Sequence, residues 1–182
     1  MRHRYIRKEY DILKIAYMAG IVDGEGSIYI GNFSCNPNTG DKYYQTNLQV
    51  TNTDKGLIDW LYAEFGGLLG KRSEKLCLKY GTKPVYIWTV SGDLLTHVCE
   101  LIQPFLIAKK RQCEIMIRMR ATYQHQGKGQ SIKGKQGAQP NTKELLDLRQ
   151  SYMEEMQSLH CRSFKRKNKQ TLASGCPTLG SG

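Results

Sequence analysis

The chain has 182 residues, 40% of them apolar, which suits one packed core and is short for two ordinary domains. No apolar run approaches the ~20 residues that cross a bilayer, and no signal-peptide core is present; a helical membrane protein is excluded, and an intracellular setting, cytoplasmic or organellar matrix, is expected. The formal charge of +11 is unevenly placed: residues 1–108 hold twelve Lys and Arg against eleven acids, residues 109–182 fifteen against five. Such an excess is either a solubilising tail or a surface for a polyanion, of which nucleic acid is the commonest.

Taken in chain order, residues 9–22 carry helical periodicity through Ile12, Ile15, Ala16, Ala19 and Val22. Residues 27–33 read as a strand, residues 35–42 as a turn, and residues 43–51 as a second strand. Asn52 or Thr53 can cap a helix over 54–65, which Gly66-Gly67 stops. Residues 69–80 and 85–90 read as a second hairpin. Helices over 93–102 and 108–122 follow, separated by Pro104. This order predicts an α+β fold: an antiparallel sheet from two hairpins with helices on its back.

Residues 1–122 form the expected core domain and 123–140 a flexible basic loop. A helix with Leu145, Leu148, Tyr152, Met156 and Leu159 on one face, then the cluster Lys165-Arg166-Lys167-Asn168-Lys169, make a unit over 141–170 that packs on or extends the core. A disordered tail over 171–182 ends the chain. Of six cysteines, none forms a Cys-x-x-Cys pair; Cys99 and Cys113 fall in apolar helical runs as reduced core residues, and His160-Cys161 with Cys176 is at most a weak metal set.

Strand parity sorts the sheet into two faces. Tyr43, Gln45, Asn47 and Gln49 oppose Tyr44, Thr46, Leu48 and Val50; Lys71, Ser73, Lys75, Cys77 and Lys79 oppose Leu76, Leu78 and Tyr80. Val85, Ile87 and Thr89 join the outer set opposite Tyr86, Trp88 and Val90, and the first strand adds Tyr29, Gly31 and Phe33. The outer set holds lysines and amides without an acid. Amides pair with adenine edges and Lys with guanine or phosphate, which suits the major groove; an ordinary solvated face is the bland alternative.

The most informative segment is Met18-Ala19-Gly20-Ile21-Val22-Asp23-Gly24-Glu25-Gly26, an apolar helix ending in two acids. Acids sit badly at a helix C-terminus, whose carbonyls already carry partial negative charge. A divalent cation is the simplest balancing partner. This segment resembles the nine-residue signature of the LAGLIDADG homing endonucleases, with Glu in place of the second Asp. The resemblance extends over most of 10–122 and more loosely to about Lys169. Gln49-Val50-Thr51-Asn52 before a helix, and Gln103-Pro104-Phe105-Leu106 before Lys109-Lys110-Arg111-Gln112, follow the family's order and spacing.

The resemblance implies a saddle-shaped sheet that binds double-stranded DNA, and a site-specific endonuclease hydrolysing phosphodiesters with Mg2+ or Mn2+, Ca2+ supporting binding without cleavage. It implies Glu25 and the Gly24 carbonyl as metal ligands, Asp23 as a structural acid serving helix-end or partner-chain donors, and Lys109 beside the scissile phosphate. Lys109 would polarise water, stabilise charge or position phosphate. Asn52 stands at a water-orienting position and equally suits an N-cap. Lys110, Arg111, Lys165, Arg166 and Lys167 would hold phosphates. One motif serves one strand, so a homodimer is expected, with Ala16, Ala19 and Gly20 allowing close helix packing and a near-palindromic target. An intron RNA maturase and a catalytically inactive DNA-binding protein are the alternatives.

Overall fold

The computed structural model describes residues 10–35, 42–79, 81, 83–124 and 142–160. Its elements are α1 (Ile12–Glu25), β1 (Gly26–Cys35), β2 (Lys42–Asn52), α2 (Lys55–Phe65), β3 (Leu68–Lys71), α3 (Glu74–Lys79), β4 (Tyr86–Ser91), α4 (Gly92–Ile102), a 3-10 turn (Gln103–Phe105), α5 (Lys110–Gln124) and α6 (Lys143–His160). The four strands form one antiparallel sheet in the order β1-β2-β4-β3. Of the loop expected at 123–140, Tyr123 and Gln124 are the last residues of α5; the rest of it, the cluster Lys165–Lys169 and the tail expected over 171–182 lie outside the described residues.

Local chemistry sets the element boundaries. Asp11 caps α1 by accepting the Leu13 N–H at 2.9 Å, and Ile15, Met18, Ala19 and Val22 form its buried face. The chain turns from α1 into β1 at Gly26, where a Cβ would stand 2.6 Å from the Val22 carbonyl oxygen, so only glycine permits the approach. α2 ends at Gly66 (φ 72°), whose carbonyl accepts the Trp88 indole N–H at 2.6 Å. That bond fixes a fully buried ring against the end of a helix.

Alternation holds in β1, β2 and β4. Ile28, Ile30, Leu48, Val50, Trp88 and Val90 are buried on one face, against α1, α2, α4 and α5. The helices complete the same core with Leu95, Val98, Cys99, Cys113 and Met116, which places both cysteines as buried free thiols. α6 joins this core rather than standing apart. Met153 and Met156 are buried, and the Arg149 guanidinium, itself buried, donates to the Thr122 hydroxyl (2.9 Å) and carbonyl (3.0 Å) and lies 4.0 Å from the Tyr123 ring centroid. Tyr44 on β2 donates to Gln150 at 2.9 Å.

Four expectations are corrected. The third strand is short: after Lys71 the chain turns, and residues 74–79 are helix, opening with the Cys77 N–H on the Ser73 carbonyl (3.1 Å) and followed by Gly81 at φ 61°. Ser73 at its start and the glycine after its end are helix signals that outweigh six residues of alternation. β1 has a register shift between Asn32 and Ser34, with Ser34 opposite Tyr43, so the strict alternation that grouped Phe33 with Tyr29 and Gly31 does not run past Asn32. Val85 precedes β4 and is buried instead of facing outward. The cap of α2 is Asp54, which accepts the Leu57 N–H at 3.2 Å; Asn52 instead accepts the Asp54 N–H at 2.9 Å and shapes the turn.

Because α6 shares the core, Met156→Ala is expected to lower the unfolding free energy of the whole chain by about 2–5 kcal/mol in one urea transition. Two separated transitions, only the first sensitive to the substitution, would make α6 an independent unit.

Candidate active site and nucleic-acid interface

The two acids at the end of α1 are used differently. The Asp23 carboxylate accepts the backbone N–H groups of Ile107 (2.7 Å), Ala108 (3.2 Å) and Lys109 (2.9 Å), the residues that lead into α5. A helix leaves its first N–H groups without partners, so Asp23 caps α5 from another element. In return the Lys109 ammonium donates to the Asp23 backbone carbonyl, placing positive charge on the negative end of α1. Burial alone pushes the Asp23 carboxyl up. The three backbone donors and the nearby Lys109 charge outweigh it and hold the group below the ordinary carboxylate value.

Glu25 is exposed and has no hydrogen bond or ion pair among the described residues; Gly24 beside it is exposed as well. Next to the clasp lies a cavity of about 340 Å³, lined by Asp23, Ser27, Lys109, Gln112 and His160 among others. Gln112, in the first turn of α5, lies three residues after Lys109, a spacing that could have flagged it. His160, grouped in the sequence with Cys161 and Cys176, which lie outside the described residues, arrives instead from the far end of α6.

Asn52 is placed elsewhere. It lines a separate groove of about 600 Å³ with Tyr17, Asp54 and Trp60, sharing no wall residue with the first cavity. Among the described residues no group of three His, Cys, Asp or Glu is arranged to hold a metal ion. What one chain offers at the end of α1 is oxygen chemistry, a carboxylate and last-turn carbonyls, which suits a hard cation that keeps several waters.

The outer face of the sheet follows from the register. Gly31 pairs with Gln45; Tyr29 with Asn47 and Ser91; Ser27 with Gln49, Thr89 and Leu68; Thr51 with Ile87 and Gly70. Paired residues share a face. Lys71 pairs with Tyr86 and so falls on the inner parity, contrary to expectation, while Ser73, Lys75 and Lys79 leave the sheet altogether. They remain exposed, on and before α3.

Protein-family models and curated proteins yield no match to this chain. Solved structures do. I-CvuI bound to its target in the presence of 2 mM Ca has a TM-score of 0.63 at 20% identity, over 85% of this chain and 86% of that one. The archaeal intron-encoded homing endonuclease I-Vdi141I, complexed with DNA, has a TM-score of 0.63 at 14% identity, over 85% and 88%. The LAGLIDADG homing endonuclease I-SmaMI, bound to cleaved DNA, has a TM-score of 0.54 at 16% identity over 85% of this chain but only 46% of its own. The chain has the LAGLIDADG homing-endonuclease fold.

Within the LAGLIDADG fold, α1 has two faces. Ala19, expected at a dimer contact, is 0% exposed inside its own chain. Gly20 is exposed, and a Cβ there would meet nothing within 4 Å. Leu13 (74% exposed), Tyr17 (58%), Gly20 and Gly24 recur at helical spacing on the uncovered side, with Ala16 half-buried at its margin. Arg111, expected on phosphate, is engaged by Glu155 of α6 through its Nε (2.9 Å) and by Glu114 at 3.2 Å. Lys110 is exposed without an ion pair among the described residues.

Asp23→Ala removes a helix cap and is expected to cost about 1 kcal/mol of stability in urea unfolding at pH 7. A carboxyl held below its ordinary value stabilises the fold above the unfolded-state pKa, and that contribution is lost as pH falls through the lowered one. The gap between wild type and variant should therefore close as unfolding is repeated from pH 5 downward.

Proposed function

We propose that this chain is a site-specific DNA endonuclease acting as a homodimer, in which each copy reads half of a long near-palindromic target and contributes one Glu25. The observation that carries this reading is the division of labour at the end of α1. Asp23 is consumed by the α5 backbone and lines the cavity with Lys109, whereas Glu25, two residues further on, is exposed, without a partner among the described residues and outside that cavity's lining. The negative end of a helix does not favour a second acid, and Glu25 makes no compensating contact among the described residues.

Glu25 and the adjoining Gly24 carbonyl would hold Mg2+ or Mn2+; Ca2+ would support binding without cleavage. When bound, such an ion supplies Lewis acidity and lowers the pKa of its water. Lys109, on the cavity wall, would sit against the scissile phosphate and oppose charge developing on its oxygens. Gln112 and His160 line the same cavity as further polar contacts for the phosphate chain, and Lys110 extends the basic edge. Asn52 is retained as a turn former.

Dimerisation rests on the uncovered side of α1. Leu13 and Tyr17 project apolar surface, and Gly20 and Gly24 would let a second helix approach closely. Ile107, 90% exposed and tied through its N–H to Asp23, extends this surface at the α1 C-terminus. A second copy packed here would bring two Glu25 carboxylates together. The match to just under half of I-SmaMI accords with two copies equalling one longer chain.

Glu25→Gln should bring cleavage of target duplex in magnesium below detection while leaving gel-shift affinity in calcium within about three-fold of wild type; undiminished cutting would remove the assignment. Gly20→Arg should sediment as a monomer and lose cleavage while remaining folded, because a Cβ at position 20 meets nothing within 4 Å in its own chain and an exposed helical glycine costs about 1 kcal/mol relative to better helix formers. A Gly20→Arg dimer that still cuts would rule out this interface.

A further inference from the structure

We infer that the half-site of this protein carries A·T base pairs beneath the centre of the sheet, read as adenine by Gln45, Asn47 and Gln49 and as thymine methyl by Ile87 and Leu68. The inference rests on the endonuclease reading and adds to it the base composition of the target.

Three observations carry it. First, the residues that the register places on the outer face of β1, β2, β4 and β3, between Gly31–Gln45 and Thr51–Ile87–Gly70, include no Lys, Arg, Asp or Glu. The charges expected there from β3 are absent, since Lys71 takes the inner parity and Lys75 and Lys79 belong to α3. Bidentate Arg or Lys is the commonest reader of guanine, and among the described residues these rows hold none.

Second, the three amides occupy alternate positions of one strand. At about 3.4 Å per residue they stand ~7 Å apart, close to two base-pair steps, and the column covers about five base pairs. An amide bonds both N7 and N6 of adenine, a pattern guanine does not present. Gln45 is exposed; across from it the Tyr29 ring lies over Gly31, where a Cβ would meet its hydroxyl at 2.0 Å.

Third, the Gln49 row continues into an apolar group, and the next row carries a second one. Gln49 pairs with Thr89, and Thr89 with Leu68, which is 67% exposed; one row on, Thr51 pairs with Ile87. An exposed leucine at a sheet edge costs solvation and solubility unless it meets an apolar surface. The thymine methyl is the apolar feature of the major groove, and in an A·T pair it lies beside the adenine edge that an amide reads. The Gln49 row thus sets an amide and an apolar group on one line across the sheet, with Ile87 one row away.

The test is a binding selection of the full chain in calcium against duplex randomised over about 24 bp, repeated with Gln45→Ala, Asn47→Ala, Gln49→Ala and Asn47→Arg. These side chains lie on the outer face, away from the core, so the variants should fold; a melting curve for each checks this. Each alanine variant should flatten preference at one or two positions in each half-site by about 5- to 150-fold, those positions being A·T for wild type. Asn47→Arg should turn its position toward guanine. Recovery of a discrete site whose amide-dependent positions are G·C, or none of whose positions responds, overturns the inference and leaves the endonuclease reading standing. Failure of wild type to enrich any site removes that reading and the inference with it.

Discussion

The arrangement depends on a reciprocal contact between two helix ends. The carboxylate of Asp23, in the last turn of α1, satisfies the N–H groups that open α5, and the ammonium of Lys109 rests on the Asp23 carbonyl that α1 leaves exposed. Each helix terminus supplies the charge the other lacks, so two unfavourable ends become one favourable joint. The joint sets the position of Lys109 relative to the motif. It also leaves Glu25, two residues further on, without work inside the chain.

Other constraints keep that joint in register. Gly26 brings β1 against the Val22 carbonyl, closer than any side chain permits, so the sheet begins directly under the last turn of α1. Trp88, bonded to the Gly66 carbonyl, locks β4 to the end of α2. From the other side α6 is held by Arg149 on Thr122 and by the pairing of Arg111 with Glu155, so its last residue, His160, reaches the Lys109 cavity. Among the described residues of the basic C-terminal part, Arg111 stitches α5 to α6 while Lys110 stays exposed.

Much of this was legible in the residues. Period-2 alternation in β2 and β4 and the 3.6-residue stripe of α1 survive into the fold because each element buries one face on one core. What could not be read had physical reasons. The stretch 71–79 alternates like a strand, but Ser73 and Gly81 supply helix boundaries, and with the strand go the lysines assigned to the outer face. Ala19 and Gly20 look interchangeable as small residues; only the direction of the core decides that the first is buried and the second free. Arg111 reads as a phosphate contact until Glu155, far along the chain, is brought beside it. His160 carried no sequence signal for its cavity because its place depends on the packing of α6.

The central claim is that two copies, each with one Glu25, cut both strands at one site. It is tested most directly by sequencing the ends released when the purified chain digests a randomised duplex pool in magnesium. The account predicts paired ends, one on each strand, within a single recurrent site on the order of 20 bp whose halves are related by twofold symmetry. Ends scattered over unrelated sequences, or a recurrent site without that symmetry, would contradict it.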